Sequence, residues 1–185
     1  MKKIILTILA AFAVNGAFAC TSAIVAAKIY GNIENFHVVD CTIETDQLAL
    51  IPDAYIDLTA EKIRIYKELD SISNEKDLEI MKGKLTDRFG KIPVELERLF
   101  DIVRIRQLGV KLGFEKIIIK NGVLIAFFIT NPLSQYYKSE RFSKILENIS
   151  IYHQLFEIKQ PDNRLRIVVR NVDSISKAYE ILKKL

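Results

Sequence analysis

The sequence contains no tryptophan and only two cysteines, two methionines, four prolines and seven glycines. Cys20 and Cys41 have no metal-ligand spacing to each other or to the two histidines, His37 and His153, so the pattern of a zinc site is absent. The few glycines form no Gly-rich loop ahead of a Lys-Ser/Thr pair, which excludes a phosphate-binding loop. The sequence therefore predicts no metal, no cofactor and no ATPase motor.

A large excess of charge of one sign is also missing. The chain has 27 lysines and arginines and 23 acidic residues, for a net charge of +4. Residues 1–35 contain three of the basic residues and one acidic residue, which leaves an excess of only two positive charges in the remainder. That excess is too small to predict a phosphate-binding surface. Tyr136, Tyr137 and Arg141 could stack on bases, but without a positive groove we expect them to anchor a loop. A small nucleic-acid-binding module is thus the second alternative.

The first residues have the pattern of an export signal. Two lysines precede the apolar run Ile4–Val14, and Ala17-Phe18-Ala19 follows as a small-x-small cleavage pattern. The apolar run is too short to cross a membrane. Residues Cys20–Val25 resemble the start of secreted N-terminal-nucleophile amidases and dipeptidases, in which cleavage exposes a catalytic cysteine. No amidase body follows, so a hydrolase that uses Cys20 is an alternative and not the expectation.

The segment 59–113 has the periodicity of three helices joined by short polar turns. Thr59 is predicted to N-cap the first helix, which would bury Ile63, Tyr66 and Leu69. The second helix opens with an acidic cluster, Glu75, Asp77 and Glu79, which is typical of a solvated first turn.

The ends of the second and third helices are marked by particular residues. Ser73 or Asn74 can cap the second helix at its start, and Gly90 is predicted to close it in the left-handed conformation. Pro93 can start the third helix without loss of a hydrogen bond, and Gly113 closes it. The third helix is apolar on two sides, which predicts a core element.

From residue 114 the period becomes strand-like, and Asn121-Gly122 predicts a two-residue hairpin. A helix from Ser139, a hairpin around Pro161-Asp162-Asn163 and a last helix from Asp173 or Ser174 follow. The alternating run His37–Glu44 predicts one more strand, with Cys41 as an inert buried thiol. The predicted fold class is α+β: a three-helix segment followed by a ββα–ββα unit, which forms a small antiparallel or mixed sheet with helices on one face.

From about Phe36 to Leu185 the chain resembles the C-terminal domain of bacterial transcription-repair coupling factor. As far as residue 120 the resemblance rests on several motifs in the family's order: Asp40–Asp46, Ile51–Ile56, Arg64 with Tyr66-Lys67, Asp87–Pro93, Arg104–Arg106 and Leu112–Phe114. Beyond residue 120 it rests on the hairpin and helix pattern. Together with the export pattern, the resemblance divides the chain into a signal-like segment at 1–19, a junction at 20–35 and a coupling-factor-like domain at 36–185, helical over 59–113 and sheet-containing over 114–185.

In that family the full protein is an ATP-driven double-stranded-DNA translocase that acts on stalled RNA polymerase and recruits excision-repair proteins. The resemblance implies a noncatalytic regulatory domain that docks on the UvrB-like N-terminal module, masks its UvrA-binding surface and restrains the motor. The family's charged contact residues precede the Phe-Gly turn; Asp87 and Arg88 match them, whereas Lys84 replaces an acidic residue. The resemblance also implies a cytoplasmic location, in conflict with the export signal at residues 1–19.

Overall fold

The computed structural model describes Val38 and residues 40–185. The described chain contains five α-helices: α1 (Thr59–Ser71), α2 (Glu75–Phe89), α3 (Val94–Leu112), α4 (Glu140–Ile151) and α5 (Ile175–Leu182). It also contains one five-stranded sheet made of β1 (Thr42–Thr45), β2 (Phe114–Lys120), β3 (Val123–Phe128), β4 (Glu157–Lys159) and β5 (Arg166–Arg170). The fold is therefore α+β, as the sequence predicted.

The described chain divides into two compact units. The helical unit is Leu48–Arg104, and the sheet unit combines the residues up to Gln47 with Ile105–Leu185. Strand β1 therefore belongs to the same unit as the four strands that follow the helices. The predicted strand His37–Glu44 is observed as Thr42–Thr45, with His37 and Val39 outside the described residues.

The helical unit has an apolar core to which all three of its helices contribute. Helix α2 buries Leu78, Met81 and Leu85, at the spacing of one helical face. The other buried members are Ile51, Ile56, Ile65, Tyr66, Leu69, Ile92, Leu96, Leu99, Phe100 and Val103.

Helix α1 corrects two sequence expectations. Its N-cap position is Leu58, which makes no side-chain cap, so Thr59 is already helical and the prediction of a Thr59 cap is wrong. Its buried stripe is Lys62, Ile65, Tyr66 and Leu69, whereas Ile63 is only half-buried. A lysine can occupy this stripe because the Lys62 stem is buried while its ammonium group pairs with Asp53 at the surface.

The sheet has the order β1-β2-β3-β5-β4. Strand β1 pairs in parallel with β2, and every other neighbouring pair is antiparallel. Asn121 and Gly122 both have positive φ, 52° and 72°, which a type I′ hairpin turn requires, so the predicted hairpin is confirmed. The sheet is thus of the mixed kind.

One face of the sheet is largely buried and carries an aromatic cluster. Phe128 of β3 contacts Phe114, Tyr136 and Phe142, with ring centroids 4.8, 6.2 and 5.5 Å away. The Tyr136 hydroxyl donates to the Leu112 carbonyl at 2.5 Å, and the Tyr137 hydroxyl donates to the Ile129 carbonyl at 2.5 Å. These tyrosines hold a loop in place, as predicted, and are not free to stack on bases.

Candidate docking surface

The three residues predicted to bind a partner lie in the last turns of α2, on its solvent side. Lys84, Asp87 and Arg88 are exposed, while Leu85 between them is 2% exposed and packs into the core. Asp87 lies two positions from Leu85, about 200° around the helix, and points away from the buried face. Arg88, three positions from Leu85, lies on the flank of the buried face and extends to solvent. The three charged groups are therefore presented around the helix end and not from one outward face.

Arg88 reaches across to helix α1. Its Nη1 lies 2.8 Å from Glu61 Oε1, and Arg64 Nη2 lies 2.6 Å from the same oxygen. Hydrogen bonds from Arg64 and then Arg88 outweigh the desolvation of Glu61, so the pKa of this carboxyl is lowered. Arg64 and Arg88 are both about half-exposed and share one carboxylate, so this cluster carries an excess positive charge.

Lys84 forms a second contact with α1, since its Nζ lies 3.5 Å from Glu68 Oε1. The side chain of Asp87 has no ion pair or hydrogen bond with any residue that the structure describes. The surface formed by Glu61, Arg64, Glu68, Lys84, Asp87 and Arg88 is called the α1–α2 charged surface below. It combines two guanidinium groups that share one carboxylate with Asp87, whose carboxylate is unpaired among the described residues.

A shallow groove of about 220 Å³ adjoins Lys84 within the helical unit. Its apolar wall includes Ile80, which is 49% exposed. The full lining is Glu68, Ser71, Ile72, Asp77, Ile80, Met81 and Lys84. The α1–α2 charged surface therefore borders a mostly polar depression, to which Ile72, Ile80 and Met81 contribute the apolar part.

The end of α2 is held by Tyr55 and Gly90. The Tyr55 hydroxyl donates within the helical unit to the carbonyls of Leu85, at 3.0 Å, and Gly90, at 3.1 Å. Gly90 has φ +84° and ψ −156°, so its φ is positive as predicted but its ψ lies outside the left-handed helical region. Arg88 contacts Glu61 and lies over the Phe89 ring, 4.8 Å from its centroid. Arg88 is thus not the cap of this helix end; its side chain is half-exposed and paired with Glu61.

Sequence reasoning missed the α1 half of this surface. Glu61, Arg64 and Glu68 are spaced three and four residues apart, so they lie on one helical face. That spacing was visible in the sequence, but nothing in it predicts that this face lies beside the end of α2. In the sequence, Arg64 stands out only as part of a family motif.

The described residues offer little support for a metal site, a membrane-spanning helix or a catalytic side chain. They contain no group of three His, Cys, Asp or Glu side chains that could hold a metal ion. In the same part of the chain no helix is both long and apolar enough to cross a membrane. His153 is exposed, with its Nδ1 3.3 Å from the Ser150 carbonyl oxygen. Cys20, the alternative nucleophile, and the signal-like segment lie outside the described residues.

The family comparison matches a model described as the TRCF domain over residues 45–139. Among curated relatives, the transcription-repair-coupling factor of Rickettsia conorii is 35% identical over 133 residues, which cover 71% of this chain and 11% of that protein. The transcription-repair-coupling factor of Rickettsia prowazekii is 36% identical over 124 residues, which cover 66% of this chain and 10% of that protein. The factor of Escherichia coli is 34% identical over 86 residues, which cover 46% of this chain and 8% of that protein. The chain therefore spans about a tenth of the length of the curated relatives it matches.

A solved structure described as the crystal structure of the C-terminal domain of transcription-repair coupling factor has a TM-score of 0.62 to this chain. The sequence identity is 22%, and the alignment covers 78% of this chain and 86% of that chain. At this identity the structural comparison establishes the fold alone.

Proposed function

Because the chain belongs to the TRCF domain family and has the fold of the C-terminal domain of transcription-repair coupling factor, we propose that it is a noncatalytic docking domain. Its partner is the UvrB-like N-terminal module of a coupling factor, and docking masks the surface through which that module binds UvrA. In the parent protein this contact restrains the motor. Other parts of that protein bind RNA polymerase and double-stranded DNA. Its place of action is the cytoplasm.

The observation that carries this proposal is the α1–α2 charged surface. Asp87 and Arg88 match the family's charged contact residues, and both are exposed on a helix end that Tyr55 holds. A rigid helix end that carries one unpaired anion as well as clustered cations fixes the orientation between two surfaces of complementary charge. Lys84 departs from the family pattern, so we infer that its ammonium group meets a different group on the partner.

The direct test is calorimetric binding of the purified chain to the N-terminal module of a coupling factor. Asp87→Arg and Arg88→Glu are each expected to weaken binding by about 2–5 kcal/mol, the cost of leaving a charge unpaired in a buried contact. Both variants should keep the stability of the unmodified chain, since exposed ion pairs contribute about 0–1 kcal/mol. The matched control is Lys144→Glu, an exposed substitution on α4 in the other unit.

A charge-swapped variant separates geometry from net charge. Asp87→Arg combined with Arg88→Asp keeps the total charge but exchanges the two positions, so it should also lose affinity if docking depends on register. Unchanged affinity in the swapped variant and in both single variants would overturn this assignment of the surface.

Masking is tested by competition. The added chain should displace UvrA from the N-terminal module, and the Kd calculated from this competition should equal the Kd measured by calorimetry. The Arg88→Glu variant should displace UvrA only at higher concentration. Simultaneous binding of UvrA and the chain to one module would rule out masking. No ATP turnover is expected, because the sequence contains no phosphate-binding loop.

A further inference from the structure

The second face of the sheet, opposite the aromatic cluster, is called the open face here. Side chains alternate between the faces of a sheet, and register partners on neighbouring strands share a face. Ile117, Ile119, Leu124 and Ala126 are on the buried face, each at most 1% exposed. The intervening residues of β2 and β3 keep part of their surface in solvent. The open face is therefore a surface of the sheet unit in its own right.

Three rows of side chains cross the open face. The central row is apolar, because Ile118, Ile125 and Val168 are register partners on β2, β3 and β5. The carboxylates of Glu44 and Glu157 lie at its two ends. On either side runs a mostly cationic row, one with Lys116, Phe127, Arg166 and Lys159, the other with Lys120, Val123 and Arg170.

The two carboxylates do not neutralise this face. Glu44 lies 2.6 Å from Lys116 Nζ and 3.0 Å from Lys120 Nζ, so one anion serves two cations. Glu157 is likewise shared, at 2.9 Å from Lys159 Nζ and 2.9 Å from Arg170 Nε. Each shared carboxylate leaves one positive charge in excess.

Arg166 adds to this excess. It has no ion pair among the described residues, and its buried Nε has no hydrogen-bond partner. Arg164, in the turn before β5, donates to the neutral Thr130 hydroxyl at 3.2 Å. The same Thr130 hydroxyl donates to Glu115 Oε2 at 2.7 Å, which links Arg164 to a carboxylate. Among the described residues, Arg166 is therefore the one further unbalanced positive charge of its row.

The spacing of the rows fits a helix. Residues two apart on a strand are separated by about 6.7 Å, so the two cationic rows lie about 13 Å apart across the apolar row. An α-helix with its side chains is about 10–12 Å wide. A helix laid along the central row would place its apolar stripe on Ile118 and Ile125 and its flanks over the cations.

A single-stranded nucleic acid fits this face less well. Such ligands are bound by stacking bases on aromatic rings. Phe127 is the aromatic residue of these rows, and the guanidinium groups of Arg164 and Arg166 lie 5.5 and 5.8 Å from its ring centroid. The ring is therefore already covered by cations.

We propose that the open face is a second docking site, separate from the α1–α2 charged surface, and that it binds an amphipathic helix with an apolar stripe flanked on both sides by carboxylates. The apolar row supplies the buried contact and the two cationic rows supply charge complementarity. Because these charges remain partly exposed, binding weakens as the salt concentration rises.

The test uses the full chain and a fluorescein-labelled helical peptide of eighteen residues, with leucines on one stripe and glutamates on both flanks. Fluorescence anisotropy should report at least tenfold tighter binding than for the same peptide with every glutamate replaced by lysine. Lys120→Glu combined with Lys159→Glu removes one cation from each row and should weaken binding at least tenfold. Lys67→Glu combined with Lys144→Glu, at exposed positions outside the open face, is the matched control.

A variant that is expected to strengthen binding shows that weaker binding in the other variants is not caused by misfolding. Glu157→Gln releases Lys159 and Arg170 from their shared carboxylate, so it should tighten binding of the acidic peptide by about two- to threefold, in line with the modest strength of exposed pairs. Equal binding of the acidic and lysine peptides would overturn the proposal. So would tighter binding of a twenty-nucleotide single-stranded DNA than of the acidic peptide, or an unchanged affinity in the Lys120/Lys159 variant while its circular dichroism stays native.

Discussion

At the scale of single residues, two helical glycines have different surroundings. Gly83, in the middle of α2, has no atom within 4 Å of the position that an added Cβ would take. At Gly109 of α3, an added Cβ would lie 2.6 Å from Cys41 Sγ and 3.1 Å from Ile117 Cδ1. Gly109 therefore permits the close approach of α3 to β2 within the sheet unit, whereas Gly83 has no packing role.

We predict opposite effects of the same substitution at these two positions. Gly83→Ala should raise the free energy of unfolding by about 0.5–1 kcal/mol, because alanine is the better helix former. Gly109→Ala should lower it by about 1–2 kcal/mol, since overpacking costs about 1–3 kcal/mol and the helix preference offsets only part of it. Urea unfolding followed by circular dichroism measures both. A stabilising Gly109→Ala would contradict the close contact with Cys41.

The Cys41 thiol should be chemically inert in the folded protein. Cys41 is 2% exposed, and burial followed by the Asp40 charge raises the pKa of its thiol well above the ordinary range. Only the thiolate reacts with aromatic disulfides. In a Cys20→Ala background we expect almost no reaction with such a reagent between pH 7 and 9, and complete reaction in urea. Rapid modification of the native protein that accelerates with pH would indicate an accessible thiol.

At the scale of elements, Arg104 joins two helices of the helical unit. Its guanidinium lies 2.6 Å from carboxylate oxygens of both Glu75 and Glu79 on α2, and 3.0 Å from Asp101 on α3. The exposure of Glu75 and Glu79, 53% and 55%, agrees with the predicted solvated first turn, but the sequence did not predict that both bind an arginine that is only 14% exposed. These bonds raise the pKa of Arg104, with the Glu75 bond contributing most.

Arg104→Leu is expected to lower the free energy of unfolding by about 2 kcal/mol. Hydrogen bonds to charged groups contribute about 1.5–3 kcal/mol each, and here part of that is recovered because Glu75 and Glu79 can be hydrated. The control is Arg141→Leu, at an exposed position on α4, which should change stability by less than about 0.5 kcal/mol. Equal effects of the two variants in urea unfolding would show that the Arg104 cluster adds no stability.

The element scale also separates what the sequence could predict from what it could not. Asn74, Ser139 and Ser174 cap their helices as local chemistry predicts, each accepting a backbone N–H three residues ahead. Local signals could not reveal that β1 pairs in parallel with β2, since that pairing joins segments about seventy residues apart. For the same reason the α1 half of the charged surface was missed: the neighbour of Arg88 is set by packing and not by sequence distance.

At the scale of the whole molecule, carboxylates that accept bonds from two cations recur in both units. Glu61 is such a group in the helical unit, and Glu44 and Glu157 are in the sheet unit. Hydrogen bonds from Lys159 and then Arg170 lower the pKa of Glu157 to about 2. Burial opposes the ionisation of Glu44, but bonds from Lys116 and Lys120 outweigh it, and its pKa is lowered too. Asp101 has the opposite shift, because burial raises its pKa more than Arg104 lowers it.

These shifts predict how stability depends on pH. A carboxyl group whose pKa is lower in the folded protein stabilises the fold above its unfolded pKa of about 4.3, and this stabilisation is lost as pH falls through the folded pKa. We therefore expect Tm to fall steeply between about pH 4.5 and 2, with Asp101 offsetting a small part of the loss. Thermal unfolding at a series of pH values measures this slope.

Glu44→Gln isolates one contribution to that slope. At pH 6 the variant should be less stable by about 1 kcal/mol, because a neutral amide accepts weaker hydrogen bonds from Lys116 and Lys120 than a carboxylate does. Because the pKa of Glu44 is lowered, the difference should persist through the ordinary glutamate range and shrink only at lower pH, as Glu44 is itself protonated. Thr42→Val, on the same face of β1, is a control with no titrating group, and its effect should not depend on pH. A Glu44→Gln deficit that stays constant down to pH 2 would mean that the carboxylate contributes through packing and not through its charge.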